Sequence, residues 1–249
     1  MNKYIIILAF FVSAVGLSQD AFAKAEQLYQ NKDYKKAQEA FNELYRKDSN
    51  NLDVLERMGD LALHSGEFKT AMDYFKPLVD RKPNNADYNF KYGGAMGLYA
   101  KNASRFTAMG LIDDIKMYFK KAARLDPKHI EVRHALSQFY CELPGILGGS
   151  IKTSTEYANE LLAISPVDGY LALGYIAEYE NKYSAAETAY KNAVKTGGSV
   201  LTYSKLATLY EQKMNRSKDA LATYQKAYDI HKDSALLTDI KRLKSKLGQ

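Results

Sequence analysis

The sequence predicts an all-α protein made of about six similar helix–turn–helix units, and three observations lead there. Apolar residues recur at spacings of three and four, as in Leu55, Met58, Gly59 and Ala62 and again in Phe68, Ala71, Phe75 and Leu78, the periodicity of amphipathic helices. The pattern then repeats every 34 residues: Tyr34, Ala37 and Phe41 return as Phe68, Ala71 and Phe75, and Ala186, Tyr190 and Ala193 return as Ala220, Tyr224 and Ala227. Internal periods of about 20–50 residues belong to stacked units that share a continuous core. The composition is that of a folded chain, 46% hydrophobic and 26% charged over 249 residues, with five Pro and fifteen Gly, too few for a collagen-like or linker-dominated protein. A single Cys excludes a disulfide framework and a multi-thiolate zinc site.

The first element is a leader. Met1-Asn2-Lys3 is a short basic start, followed by an apolar run from Tyr4 to Ser18. The run falls short of the about 20 residues that span a bilayer. Its length, its basic start and the small residues Gly16 and Ser18 make residues 1–18 an expected secretory signal peptide, cut before Gln19. Ala21-Phe22-Ala23 offers a second cleavage site, but cutting there removes part of the first repeat. An uncleaved anchor is the bland alternative; the nearby sequence has no Cys for a lipid anchor. The expected destination is the periplasm or the exterior.

The repeats follow in order. The units span about 18–51, 52–85, 86–129, 130–166, 167–199 and 200–234, and 235–249 forms a capping helix. Apolar-plus-small pairs mark the first helices at Met58-Gly59, Tyr92-Gly93, Leu136-Ser137, Leu173-Gly174 and Leu206-Ala207, and Pro83, Pro127 and Pro166 close successive units. The extra length of the third and fourth units predicts insertions at 101–110 (KNASRFTAMG) and 143–150 (LPGILGGS), both rich in turn-forming residues. Each protrudes on the side where per-repeat insertions often serve binding. Gly93, Gly94 and Gly97 are expected to let an inserted segment approach the helix backbone.

A 34-residue unit with an apolar-small pair, a central aromatic, Ala three on, an aromatic four further and Pro near the end resembles the tetratricopeptide repeat (TPR). Leu52 to Asn85 matches best. Ile112 and Ile115 in the third unit, and Ser154 and Ala158 in the fourth, depart from the pattern. The resemblance implies a right-handed superhelical solenoid of about six repeats with a C-terminal capping helix, its concave face lined by the first helix of each unit. It also implies a binding scaffold. Within the family, the clamp that grips chaperone C-terminal carboxylates needs Lys and Asn at inner positions where this chain has Phe22, Glu26, Glu56 and Asp60, so that subfunction is not expected. The segment from Leu143 onward, with PVDGYLALGYIAEY after it, resembles secreted or periplasmic bacterial repeat proteins of uncharacterised function.

The formal charge is +6, yet the residues projected onto the concave face are acidic and aromatic. The lysines at 35, 36, 69, 120, 121 and 191 fall on second helices and turns. The expected groove takes a basic or amphipathic segment of another protein, with Phe22, Phe90, Tyr175 and Tyr179 as anchors and Glu26, Glu56, Asp60, His134 and Glu178 around them. The bland counterpart is a solvated helix face whose early Asp and Glu suit the helix dipole.

No chemistry rises above this. His129 and His134 in HIEVRH are five residues apart and point about 140° from each other on a helix, unlike an i, i+4 metal pair. Gly148 to Ser150 and Gly197 to Ser199 lack the Lys-Ser/Thr of a phosphate loop. Cys141 has no evident partner. No catalytic, cofactor-binding or metal residue is assigned, and an acidic inner face argues against nucleic acid. The expectation is an exported, non-catalytic scaffold for a protein or peptide partner. The alternative is a structural subunit of a cell-envelope assembly that uses the convex surface or the insertions. An enzyme built on His134, Cys141 and the insertions is the third reading.

Overall fold

The structure, a computed structural model, describes residues 19–248. The leader, residues 1–18, lies outside the described residues. Among those residues the protein is all-helical, with α1 (19–30), α2 (Tyr34–Lys47), α3 (Leu52–His64), α4 (Phe68–Arg81), α5 (Ala86–Asn102) and α6 (Arg105–Leu125) in a first compact unit. A second compact unit holds α7 (Ile130–Glu142), α8 (Ile151–Ile164), α9 (Pro166–Tyr179), α10 (Tyr183–Gly197), α11 (Val200–Gln212), α12 (Ser217–His231) and α13 (Leu236–Lys246). Within each unit successive helices pack in antiparallel hairpins, and in the second α7, α9 and α11 also touch one another in series.

Local sequence explains the boundaries. Asn51 and Asn85, 34 residues apart, cap α3 and α5 by accepting backbone N–H bonds from Val54 and Tyr88. Ser150 and Ser199 do the same for α8 and α11. Such caps satisfy donors that the first helical turn leaves open. The turns inside the hairpins share the same ruler. Lys32 and Gly66 take left-handed backbone at φ 60° and 77°, and Asn181 and Asn215 do so at 60° and 55°. Each pair is 34 residues apart.

The apolar-small pairs face the second helix of their own hairpin. A Cβ at Gly59 would lie 2.2 Å from Cε1 of Phe75, and one at Gly174 would lie 2.3 Å from Cε1 of Tyr190. A Cβ at Gly93 would lie 3.0–3.2 Å from Tyr118 and Phe119, so Ile115 and Phe119 stand where Ala71 and Phe75 stand in the preceding hairpin. In the fourth repeat both partners are small. Ala158 stands at the place of the ring, and fully buried Ser154, at the place of Ala71, donates its hydroxyl to the Ser137 carbonyl at 2.6 Å, so a hydrogen bond joins the two helices where the ring is missing.

Two expectations about the insertions change. Residues 101–110 do not form a loop: α5 runs to Asn102 and α6 starts at Arg105, because Phe106 to Leu111 continue the helical pattern and only Ala103 and Ser104 break it. Nor does anything approach the backbone at Gly94, where an added Cβ would have no neighbour within 4 Å. Residues 143–150 form a turn with a short 3-10 segment at Gly145–Leu147, tied back by the Ser150 N–H to the Tyr140 carbonyl at 2.8 Å. Gly149 is compelled there, since a Cβ would overlap the Leu143 carbonyl.

Candidate protein-interaction surfaces

In the first compact unit the first helices α1, α3 and α5 bring together three of the expected carboxylates, and they bring two cations with them. Arg57 Nε donates to Glu26 at 2.6 Å, and its Nη1 donates to Asp60 at 2.9 Å. Lys91 Nζ reaches Asp60 at 2.6 Å and Glu56 at 2.9 Å. Arg57 also lies over the ring of Tyr29 at 5.1 Å. The result is a ladder in which each repeat's base bridges to the acid of the repeat before. Burial pushes the Glu26 carboxyl up, but hydrogen bonds from Arg57 and Gln30 and the charges of Arg57 and Lys91 bring it below its ordinary value. The expectation of an unopposed acidic face is therefore corrected here. The projection of inner residues leaves out Arg57 and Lys91, although Lys91 is Arg57 plus one repeat and Asp60 is Glu26 plus one repeat.

The aromatic anchors of this unit are engaged internally. Phe22 packs half-buried against the core with its ring edge-on to Phe41 at 5.5 Å, because α1 needs its own apolar contact to close the first hairpin. Phe90 is half-buried, 6.0 Å from Phe119.

In the second compact unit α7, α9 and α11 share a face. His134 on α7 is solvent-exposed but flanked by protein, and desolvation lowers its pKa, against the pull of Asp168 on α9 and with the help of Lys205 on α11. Three first helices thus present polar groups to one another. Tyr175 is half-buried and donates its hydroxyl to Glu142, which also accepts from Gln138; burial and Glu142 hold that phenol protonated well above the usual range. Glu178 accepts the hydroxyl of fully buried Tyr190 at 3.0 Å. Tyr179 is 50% exposed, and of the four expected aromatic anchors it alone is open to solvent. Cys141 on α7 and Leu171 on α9 are core residues. Burial pushes the Cys141 thiol up to about 11. His129, the other histidine of HIEVRH, is buried and caps α7 through Nδ1. Among the described residues no group of three or more His, Cys, Asp or Glu could hold a metal ion, and no helix is long and apolar enough to cross a membrane.

Serial antiparallel hairpins, a small residue at each crossing and a shared face of first helices define a helical-hairpin repeat protein. Residues 18–89 match the family model described as tetratricopeptide repeat. No curated protein matches the chain in sequence. Among solved structures the chain is similar to PilW, described as a widely conserved type IV pilus biogenesis factor, at 14% identity and a TM-score of 0.64, covering 90% of this chain and 98% of that one. A tetratricopeptide repeat protein from Parabacteroides merdae matches at 15% identity and a TM-score of 0.60, covering 92% and 86%. A thermophilic protein of the same kind from Thermus thermophilus matches at 20% and 0.52, covering 93% and 100%. The N-terminal repeats are thus tetratricopeptide repeats, and the chain has the fold of tetratricopeptide-repeat proteins.

Proposed function

We propose that this protein is an exported, non-catalytic scaffold that holds a protein or peptide partner on the first-helix face of its repeats. The observation that supports this reading best is the α7, α9 and α11 face, where exposed His134 feels the charges of Asp168 and Lys205 and exposed Tyr179 lies about 16 Å from Asp168, at the other end of α9. An exposed aromatic and a separate charged cluster on one run of helices are residue types that protein interfaces use for anchoring and for steering. The charge pattern refines the partner. In the first unit a basic segment must compete with Arg57 and Lys91 for the carboxylates, so that face favours a mixed-charge or amphipathic segment over a purely basic one. Export is part of the proposal and rests on the leader.

Two measurements test it. A photo-crosslinking residue placed at position 179 in the native cell is expected to give a discrete protein adduct, whereas the same residue at position 191 on α10 gives none. Equal adducts at both sites, or none at 179, would remove the face from the proposal. Sequencing the N-terminus of the cellular protein is expected to start at Gln19; an intact Met1 on soluble protein would overturn export.

A further inference from the structure

The α5–α6 hairpin projects beyond the other hairpins. Helices α5 and α6 have 17 and 21 residues, against 13–15 in α2–α4 and α7–α12. The register shows where the length goes. Counted from the crossing glycine, α5 runs nine residues to Asn102 where α3 runs five to His64; counted to the aromatic, α6 has fourteen residues before Phe119 where α4 has seven before Phe75. At 1.5 Å per residue the tip extends about 6–10 Å past its neighbour.

The chemistry of that tip is one-sided. Phe106 is 88% exposed, and Met109 and Leu98, each about one turn from the connection, are 47% and 39% exposed. Lys101 and Arg105 flank them at the surface. From Tyr88 to Ile112 the chain has no acidic residue at all. Single exposed apolar residues are ordinary, but three on a projecting tip, beside exposed Arg105 and in a segment that carries no acid of its own, are not. A convex wedge needs a deformable or concave receptor, and the charge selects an anionic one. Bilayer surfaces with anionic lipids supply both, since apolar side chains enter the headgroup–acyl boundary while Lys and Arg meet the negative surface. Asp113, seven residues past Phe106 and 90% exposed by side chain, lies about 10 Å further along α6. That carboxylate limits entry to the first two turns, which is the depth of the interfacial layer.

We propose that the α5–α6 tip is a shallow membrane wedge that docks the protein on an anionic lipid surface through Phe106 and Met109, with Arg105 at the headgroups. This stands apart from the proposed partner-binding face and from the leader, because it concerns residues on neither.

The test uses the chain from Gln19 onward, so that the leader plays no part, and vesicles of phosphatidylcholine alone or mixed equally with phosphatidylglycerol. The chain has no Trp, so Phe106→Trp gives a unique reporter. Its emission is expected to shift to the blue and to be quenched by lipids brominated near the headgroup end of the acyl chain, with the mixed vesicles only. Phe106→Ser/Met109→Ser keeps the net charge and is expected to lower co-sedimentation at least tenfold with an unchanged circular dichroism spectrum; Arg105→Gln lowers it severalfold. Undiminished binding by the double variant means general attraction to a basic protein and overturns the wedge. No binding of the parent chain, or no shift of the Trp, overturns it equally, including the case in which the tip instead fits a pocket on a protein.

Discussion

Substituting Gly59 by Ala tests the packing logic of the repeat most directly. The new Cβ would fall 2.2 Å from Cε1 of Phe75 and 2.6 Å from Cδ1 and Cζ. Ordinary van der Waals contact begins near 3.4 Å, so the ring or α3 has to move by more than 1 Å. Phe75 has no exposed surface into which it could retreat. Overpacking of this kind costs about 1–3 kcal/mol, and the better helix propensity of Ala returns up to about 1 kcal/mol. The net expectation is a loss of about 1 kcal/mol and at most about 2, which at about 2–4 °C per kcal/mol for a chain of this length lowers the melting temperature by about 2–8 °C. Gly94→Ala is the matched control on α5. Its Cβ meets nothing within 4 Å, so only the propensity gain of about 1 kcal/mol remains. Thermal unfolding followed by circular dichroism, with urea titration to check that the slope is unchanged, measures both. If Gly59→Ala is as stable as the parent, or if the two variants move the same way, close helix crossing is not what that glycine provides.

Three further outcomes follow from the same structure. Arg57→Gln is expected to cost about 1 kcal/mol, the scale of partly exposed ion pairs, and to flatten the acid side of the stability profile: the depressed Glu26 carboxyl stabilises the fold above its ordinary value of 4.5, and this contribution is lost as pH falls through the lower folded value. Urea titrations at several pH values between about 3 and 7 measure it. Cys141, buried with its thiol pushed up to about 11, is expected to resist a thiol reagent at pH 8 in the native state and to react at once in denaturant. Gly66→Ala, at φ 77° with open space around it, is expected to cost about 1 kcal/mol through the backbone alone, readable as a shift in urea midpoint without a change in slope.

The repeat architecture is legible because it is written in spacing. Small residues at Gly59, Gly93, Ser137 and Gly174, and rings at Phe75, Phe119 and Tyr190, announce helix crossings that geometry then requires. The site is less legible for two reasons. Projecting a helix by spacing tells which residues leave the core, but not which of them find one another. Spacing alone presents Glu26, Glu56 and Asp60 as free carboxylates, although the 34-residue ruler applied to charge discloses Arg57 and Lys91 as their partners. Aromatic residues on the inner face look like anchors, but Phe22 and Phe90 lean onto the second-helix rings of Phe41 and Phe119, which helix projection by spacing does not reveal. Residues 101–110 show the opposite limit. Ser104 and Gly110 suggest a loop, whereas Phe106, Met109 and Leu111 carry enough helical pattern for α6 to begin at Arg105.

The ion-pair ladder has a consequence for how such a chain can grow. Its acids stand at 26 and 60 and its bases at 57 and 91, and the next places on each rail, allowing for the longer third unit, hold Gly94 and Ala135. The second repeat therefore carries both halves of the connection, the third only the receiving half. Duplicating residues 52–85 in tandem would give Asp60 of one copy the Arg57 of the next and prolong the ladder by one rung, while a tandem third repeat would meet Gly94 and find no acid. The repeats look interchangeable by their apolar pattern, yet their charges make one of them a link and another a terminus.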